Sequence, residues 1–217
     1  MPRTEPTTEQ PSAAPRSRKG ALTRLRLLDA AKAVFEEMGF LEARISDIAE
    51  RAGLSHGSFY HYFDSKEQVF REVAEAQEDL LTAPDPDAKR ADGEAELSEL
   101  ERIMRANRRY LQRYRDNGKI MGVIEEVSRY DTVVNDARMR RQKHFADRAE
   151  QAIRRLQEQN RADQSIDAEI AAVALGSMIG RFAELWLLEQ WADFEFDAAV
   201  DQVSRLWANA IGLRDAK

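Results

Sequence analysis

The 217 residues include no cysteine, which excludes disulfides, thiolate nucleophiles and cysteine metal sites and suits a reducing compartment. Histidine is nearly as scarce. Of the three, His56 and His61 lie in one short stretch and His144 stands alone on a charged segment, so no pair has metal-ligand spacing with a carboxylate partner. Neither a glycine-rich phosphate loop nor a serine in a nucleophile elbow occurs. No catalytic residue, metal or cofactor is therefore expected, and the chain does not read as an enzyme. There is no run of about 18 apolar residues to span a bilayer. The first twenty residues lack the apolar centre of a secretory signal. A cytoplasmic protein with no membrane partner is expected.

What is present fits a helical, two-part protein. Apolar residues make up 43% and charged residues 33%, enough for a core with solvated helix faces. The net charge is −6, yet before Leu27 six basic residues (Arg3, Arg16, Arg18, Lys19, Arg24, Arg26) outnumber Glu5 and Glu9. One end is basic and the body acidic, a distribution that can orient a protein on a polyanion. Residues 1–20, rich in Pro, Thr, Ser and charge, predict a disordered basic arm, either a solvated tail or a reach toward phosphate or the minor groove.

Helical periodicity recurs through the rest. Helices are predicted over 23–38, 45–52, 55–63, 65–81, 95–117, 120–130, 132–159, 167–189 and 197–213, and no strand alternation outlasts Phe194–Phe196. The fold class is all-α. Residues 21–81 form an N-terminal head with its connecting helix, 82–94 (two prolines, a glycine and mixed charge) a flexible linker, and 95–217 a helical body.

The organising stretch is ISDIAERAGLSHGSFYHYFDSKEQV, residues 45–69. Ile45, Ile48, Ala49 and Ala52 share one helical face. Gly53 follows where a left-handed backbone would end that helix, and Ser55 is placed to cap the next. The second helix carries His56, Gly57, Ser58, Tyr60, His61 and Tyr62 between the apolar anchors Phe59 and Phe63. Successive helical residues turn by about 100°, so Tyr60, His61 and Tyr62 cannot all point inward. Helix, tight turn and a polar, aromatic second helix describe a helix-turn-helix, whose second helix enters the major groove.

The segment from Thr23 to Val73 resembles the tetracycline-repressor (TetR) family of bacterial regulators. The resemblance rests on Ile-Ala-x-x-Ala-Gly at 48–53, Gly57 two residues past Ser55, Phe59-Tyr60-x-Tyr62-Phe63, and Ser65-Lys66-Glu67 opening the next helix. It implies DNA contacts over residues 44–63. Tyr60, Tyr62 and Lys66 would meet phosphates, Gly57 would permit close approach, and His56, Ser58 and His61 would read bases. The family usually carries Thr or Ser where this chain has Ala43-Arg44. Either Ser46 caps a slightly later helix start, or Arg44 takes over the phosphate contact.

In the body, small residues such as Gly176 and Gly180 keep the eighth helix slim. Trp191, Val203, Leu206, Trp207 and Ile211 supply apolar area either for a monomer core or for a homodimeric four-helix bundle. A pocket inside the body, among helices 4 to 8, is expected from Met104, Tyr110, Tyr114, Met121, Ile124, Phe145, Met178, Phe182 and Trp186, with Glu125 as polar handle; all serve equally as core. The basic run Arg105, Arg108, Arg109, Arg113 and Arg115 reads as a solvated face, or as a pocket mouth for an anionic effector such as an acyl-coenzyme A thioester; the effector is expected to be apolar or acyl-CoA-like. The expected protein is a homodimeric, ligand-responsive repressor on a near-palindromic double-stranded operator. Its rivals are an activator or global regulator of the same fold, and a ligand- or partner-binding helical protein with a vestigial head.

Overall fold

The computed structural model describes residues 18–83 and 97–214. The expected arm before residue 18 and most of the expected linker lie outside these residues. The described residues form nine α-helices in chain order: α1 Arg18–Glu42, α2 Ile45–Arg51, α3 His56–Phe59, α4 Lys66–Thr82, α5 Glu99–Asp116, α6 Gly118–Val127, α7 Thr132–Glu158, α8 Ala168–Ala183 and α9 Phe196–Ala210. No strand occurs among them. The chain divides into a head ending at Val73 and a body beginning at Ala74. The sequence division leaves all of α4 with the head; the structure gives its second half to the body.

The head is built on aromatic packing. Phe35 of α1, Phe40 and Phe70 of α4 pack edge to face or stacked, with centroids 4.9–5.9 Å apart. Phe59 and Phe63 are fully buried at 5.6 Å from each other. α1 begins earlier than periodicity suggests, and the break falls where glycine allows it, at Gly39 with φ 74°. The carbonyls freed there need donors. Lys66 supplies them, its Nζ donating to Phe40 O (2.7 Å), Leu41 O (3.1 Å) and Ala43 O (2.9 Å). The same ammonium sits 4.6 Å from the centre of the Phe40 ring.

Caps set the remaining boundaries. Ser65 Oγ accepts from the Gln68 N–H, and the Gln68 side chain accepts from the Asp64 N–H at 2.5 Å. Ser98 and Glu101 form a reciprocal capping box at the start of α5. Asp131 caps α7 and Asp167 caps α8 through their carboxylates. α8 then widens over Glu184–Leu188 into a π-helical turn, marked by the Glu189 N–H donating to Glu184 O at 2.9 Å.

In the body α8 packs on α7, and α9 on α5. Asn107 of α5 donates to the buried Ser204 hydroxyl of α9 at 3.1 Å. The run Ala168–Leu188 is 21 residues long with mean hydropathy 1.4. By length and composition it could cross a bilayer, against the sequence expectation. Here Ala172, Leu175, Ile179, Ala183 and Trp186 of that run face the body's own core, while Glu169, Arg181 and Glu184 interrupt it.

Three residues expected at a dimer interface lie elsewhere. Val203, Trp207 and Ile211 are buried within one chain; Val203 and Trp207 share the side of α9 with Ser204, which Asn107 of α5 meets, and Ile211 is the residue that closes α9. Trp191 and Leu206 remain exposed, at 76% and 57%; Gly176 is exposed and Gly180 half-buried. Trp207→Arg therefore puts a charge into the body's core and should lower stability by about 3 kcal/mol or more. Trp191→Arg should stay within about 0.5 kcal/mol of the parent. Denaturant melts of both variants check this; equal midpoints would show that Trp207 is not a core residue.

Candidate nucleic-acid interface

The helix-turn-helix is assembled by backbone chemistry that the sequence signals locally. α2 ends where Gly53 adopts φ +65°, a conformation glycine enters freely. The guanidinium of Arg26 reaches the Ala52 carbonyl beside it. Ser55 caps α3, its Oγ accepting from the Ser58 N–H at 3.3 Å and lying 2.8 Å from Ser58 Oγ. α3 is only four residues long, but its turns continue: His61 N–H donates to Ser58 O, and the Tyr62 and Phe63 N–H groups to Phe59 O. The result is a rigid ledge pinned below by Phe59 and Phe63.

Above those anchors the expected contact residues come together on the outside of the head. Ser55, His56, Gly57, Tyr60 and His61 are exposed, with Arg44 and Ser46 exposed on α2, while Ser58 and Tyr62 are half-buried. Tyr60 is 49% exposed, its ring held edge-on against His56 at 5.3 Å and Phe59 at 5.5 Å. Hydroxyls, imidazoles and a guanidinium at these positions can donate to phosphate oxygens and base edges. A Cβ added at Gly57 would meet nothing within 4 Å, so internal packing does not require glycine there.

Two expectations change with geometry. Arg44 occupies the N-cap of α2, at φ −119° and ψ 150°, so the helix starts at Ile45 and Ser46 caps no later start. A guanidinium has no acceptor, so the end is closed from the other side, by the Asp47 carboxylate accepting from the Arg44 N–H at 3.2 Å. The Arg44 side chain stays outside, as a phosphate contact would require. Lys66 was expected at a phosphate, but its three ammonium donors are engaged by the carbonyls that follow Gly39. Arg24 is also turned inward, pairing with Glu72 and lying 4.8 Å over the Phe63 ring. No local pattern distinguishes such internal cations from DNA-facing ones; the distinction appears only when distant carbonyls and carboxylates are brought alongside.

The pocket residues expected in the body lie in its core or are half-buried, and none of them lines the groove between α4 and α7. Tyr114, Met121, Ile124 and Trp186 are buried in the core; Met104, Tyr110, Phe145, Met178 and Phe182 are half-buried. Tyr110 packs against Phe145 at 5.4 Å and Tyr114 at 6.0 Å, and Phe182 against Trp186 at 5.3 Å. Burial raises the phenol pKa of both Tyr110 and Tyr114. Glu125 is no free handle, since it is ion-paired with Arg138. The basic face of α5 is likewise occupied in part. Arg108 pairs with Asp197 at 2.5 Å, Arg115 covers the Phe196 ring at 4.1 Å, and Arg113 donates to Ala83 O at 2.6 Å. A groove does open between α4 and α7, lined by Glu75, Glu78, Asp79, Arg140, Arg141 and His144, residues that periodicity does not single out.

Residues 27–73 match the family of bacterial regulatory proteins, tetR family. The transcriptional repressor KstR2 of Rhodococcus jostii is 46% identical over 50 residues, 23% of this chain and 24% of KstR2. The chain thus matches about a quarter of the length of such curated relatives. Among solved structures, a transcriptional regulator from Saccharomonospora viridis, in complex with choline, superposes with TM-score 0.71 at 20% identity, over 91% of this chain and 100% of that one. FadR from Bacillus subtilis, in complex with stearoyl-CoA, gives 0.68 at 15% identity over 86% and 98%. The structural likeness establishes the fold across head and body; the family match, residues 27–73, falls within the head.

Two variants separate DNA contact from folding. Gly57→Ala should raise stability by up to about 1 kcal/mol, since alanine is the better helix former, while weakening DNA binding several-fold. Binding that is unchanged or tighter would remove the close approach at this site. Lys66→Met should lower the melting temperature while leaving the slope of log K against log salt unchanged. A slope reduced by about 0.9 would instead mark a lost phosphate contact.

Proposed function

We propose that this chain, whose residues 27–73 match the tetR family of bacterial regulatory proteins, is a homodimeric transcriptional repressor released from a near-palindromic operator by a small molecule. The observation that carries it is the outer face of α2 and α3. Polar side chains able to meet phosphates and bases are gathered there over buried aromatic anchors, with an unhindered glycine among them. The family is one of regulatory proteins, not of enzymes.

Phosphate contacts from Arg44, Tyr60 and Tyr62 would position the head, and His56, Ser58 and His61 would read the major groove. One head reads too few base pairs for specificity, and two related by a two-fold axis read two half-sites about one helical turn apart. The surface that supports pairing keeps Leu206 and Gly176 of the interface expected from sequence, without Val203, Trp207 and Ile211, which are buried. On α8 and α9 the exposed large apolar groups are Ile170 and Val173 of α8, 71% and 53% exposed, and Leu206 of α9. Gly176 and Ser177, small and exposed, follow Ile170 and Val173 on α8, so a partner's helices could approach closely.

Release requires a ligand that binds more tightly to a conformation unfit for the operator. The repressor KstR2 supports the sign of regulation, and FadR, in complex with stearoyl-CoA, supports an effector site in this architecture. An acyl-coenzyme-A-like effector has FadR as its support; the α5 arginines described above are engaged within the body rather than arrayed at a mouth.

The test is selection of bound sequences from random duplex DNA by the purified protein at physiological salt. One near-palindrome should emerge, and Leu206→Arg should yield a folded monomer that binds the same sequence at least tenfold more weakly. Recovery of no sequence above background, with and without candidate effectors, would overturn operator binding. A Leu206→Arg protein that still sediments as a dimer would overturn the interface.

A further inference from the structure

Histidine is scarce in this chain, and two of its three copies stand on the reading face of the head. His56 opens α3 and His61 lies in the turn that continues it; both are exposed. Their places are fixed from within. The His56 ring packs 5.3 Å from the Tyr60 ring, and the His61 N–H donates to Ser58 O at 3.3 Å. Phe59, between them, is fully buried, so the segment carrying both imidazoles is anchored before any partner arrives.

Imidazole is the side chain whose charge ordinarily changes between about pH 5 and pH 8. Carboxylates, phenols, guanidiniums and ammonium groups ordinarily keep one charge across most of that range, and these are what the neighbouring elements bring. α1 supplies Arg24 over the Phe63 ring and Arg26 at the Ala52 carbonyl. α2 and its cap carry Arg44, Asp47, Glu50 and Arg51, the last paired with Glu37 of α1. α3 and its continuation add Tyr60 and Tyr62. Asp64 follows in the turn, and Lys66 and Glu67 open α4. His144 belongs to the body. Among the described residues of the head, imidazole chemistry near neutral pH is therefore that of His56 and His61.

A row of phosphates favours imidazolium over imidazole. A protonated ring also donates from both nitrogens, a neutral one from only one, and phosphate oxygens and the O6 and N7 atoms of guanine all accept. Both effects raise the pKa of an imidazole on meeting DNA. The added affinity is then fully present below the pKa of the free protein and is lost as pH rises through that of the complex. We infer that His56 and His61 take up protons when the head meets DNA, so that binding tightens as the pH falls from about 8 to about 6. Resting on the DNA-binding reading of the head, this coupling gives the regulator an input separate from any small molecule in the body.

The coupling is tested by titrating a labelled duplex carrying the selected operator with the full-length protein at constant ionic strength and several pH values. Where no operator is selected, a mixed-sequence duplex replaces it, since phosphates are common to both. Affinity of the parent should rise at least tenfold between about pH 8 and about pH 6. Glutamine keeps a donor and an acceptor but takes up no proton near neutral pH. His56→Gln and His61→Gln should therefore each retain about threefold of that rise, and the double variant less than twofold. Both sites are exposed, and circular dichroism confirms that the variants are folded. Calorimetry at about pH 7 in buffers of different ionisation enthalpy should show protons taken up on binding by the parent and fewer by the double variant, which separates the imidazoles from the α-amino group. Parent affinity that changes less than twofold over this range, or a double variant with the parental pH dependence, would overturn the coupling and leave the repressor reading standing. A protein that binds neither duplex at any of these pH values would overturn both.

Discussion

The ammonium of Lys66 holds the head together. A helix broken by a glycine exposes carbonyls that need donors, and here one side chain from the first turn of α4 serves three of them. That single contact joins the end of α1 to the start of α4 and encloses α2 and α3 between them. Hydrogen bonds from a charged group are worth roughly 1.5–3 kcal/mol each when shielded; solvent reaching the half-buried Lys66 lowers that figure. The aromatic cluster of Phe35, Phe40 and Phe70 needs the same geometry, since Phe40 lies just past the break.

With the frame fixed internally, the reading surface can be short. Four residues of α3 would be too few for a stable helix in isolation. They stay in place because Phe59 and Phe63 are buried beneath and Ser55 closes the helix start. The exposed groups, His56, Tyr60 and His61, then carry little of the folding energy and can serve a partner instead. In the body the corresponding separation runs through α9. Val203, Trp207 and Ile211 face inward and Leu206 faces outward, so neighbouring apolar residues have different tasks.

The groove floor follows another logic. A buried Glu–Arg pair that misses hydrogen-bonding geometry stabilises a fold poorly, because desolvation offsets much of the attraction. Glu125 with Arg138, and Arg138 with the Ser128 hydroxyl, show the same body making well-formed polar contacts elsewhere. Glu78 and Arg141 are ion-paired at 2.7 Å yet stabilise less than so short a contact suggests, since both are taken out of water.

Local chemistry in the sequence determined the all-α class, the helix-turn-helix and its anchors. Apolar spacing, the left-handed need at Gly53 and the Ser55 cap all act within a few residues and are legible in order. Phe59 and Phe63 are legible as core, and the helical turn requires only that some of Tyr60, His61 and Tyr62 lie outside; the structure exposes Tyr60 and His61. Only tertiary structure decided which cations face inward, which side of α9 is buried and where a groove opens. Lys66 finds its carbonyls 23 to 26 residues upstream, Arg141 meets Glu78 across two helices, and Trp207 is buried by α5 from another part of the chain. An amphipathic pattern shows that a residue is apolar or charged and on which face it lies, but the partner meeting that face is set by how the helices pack.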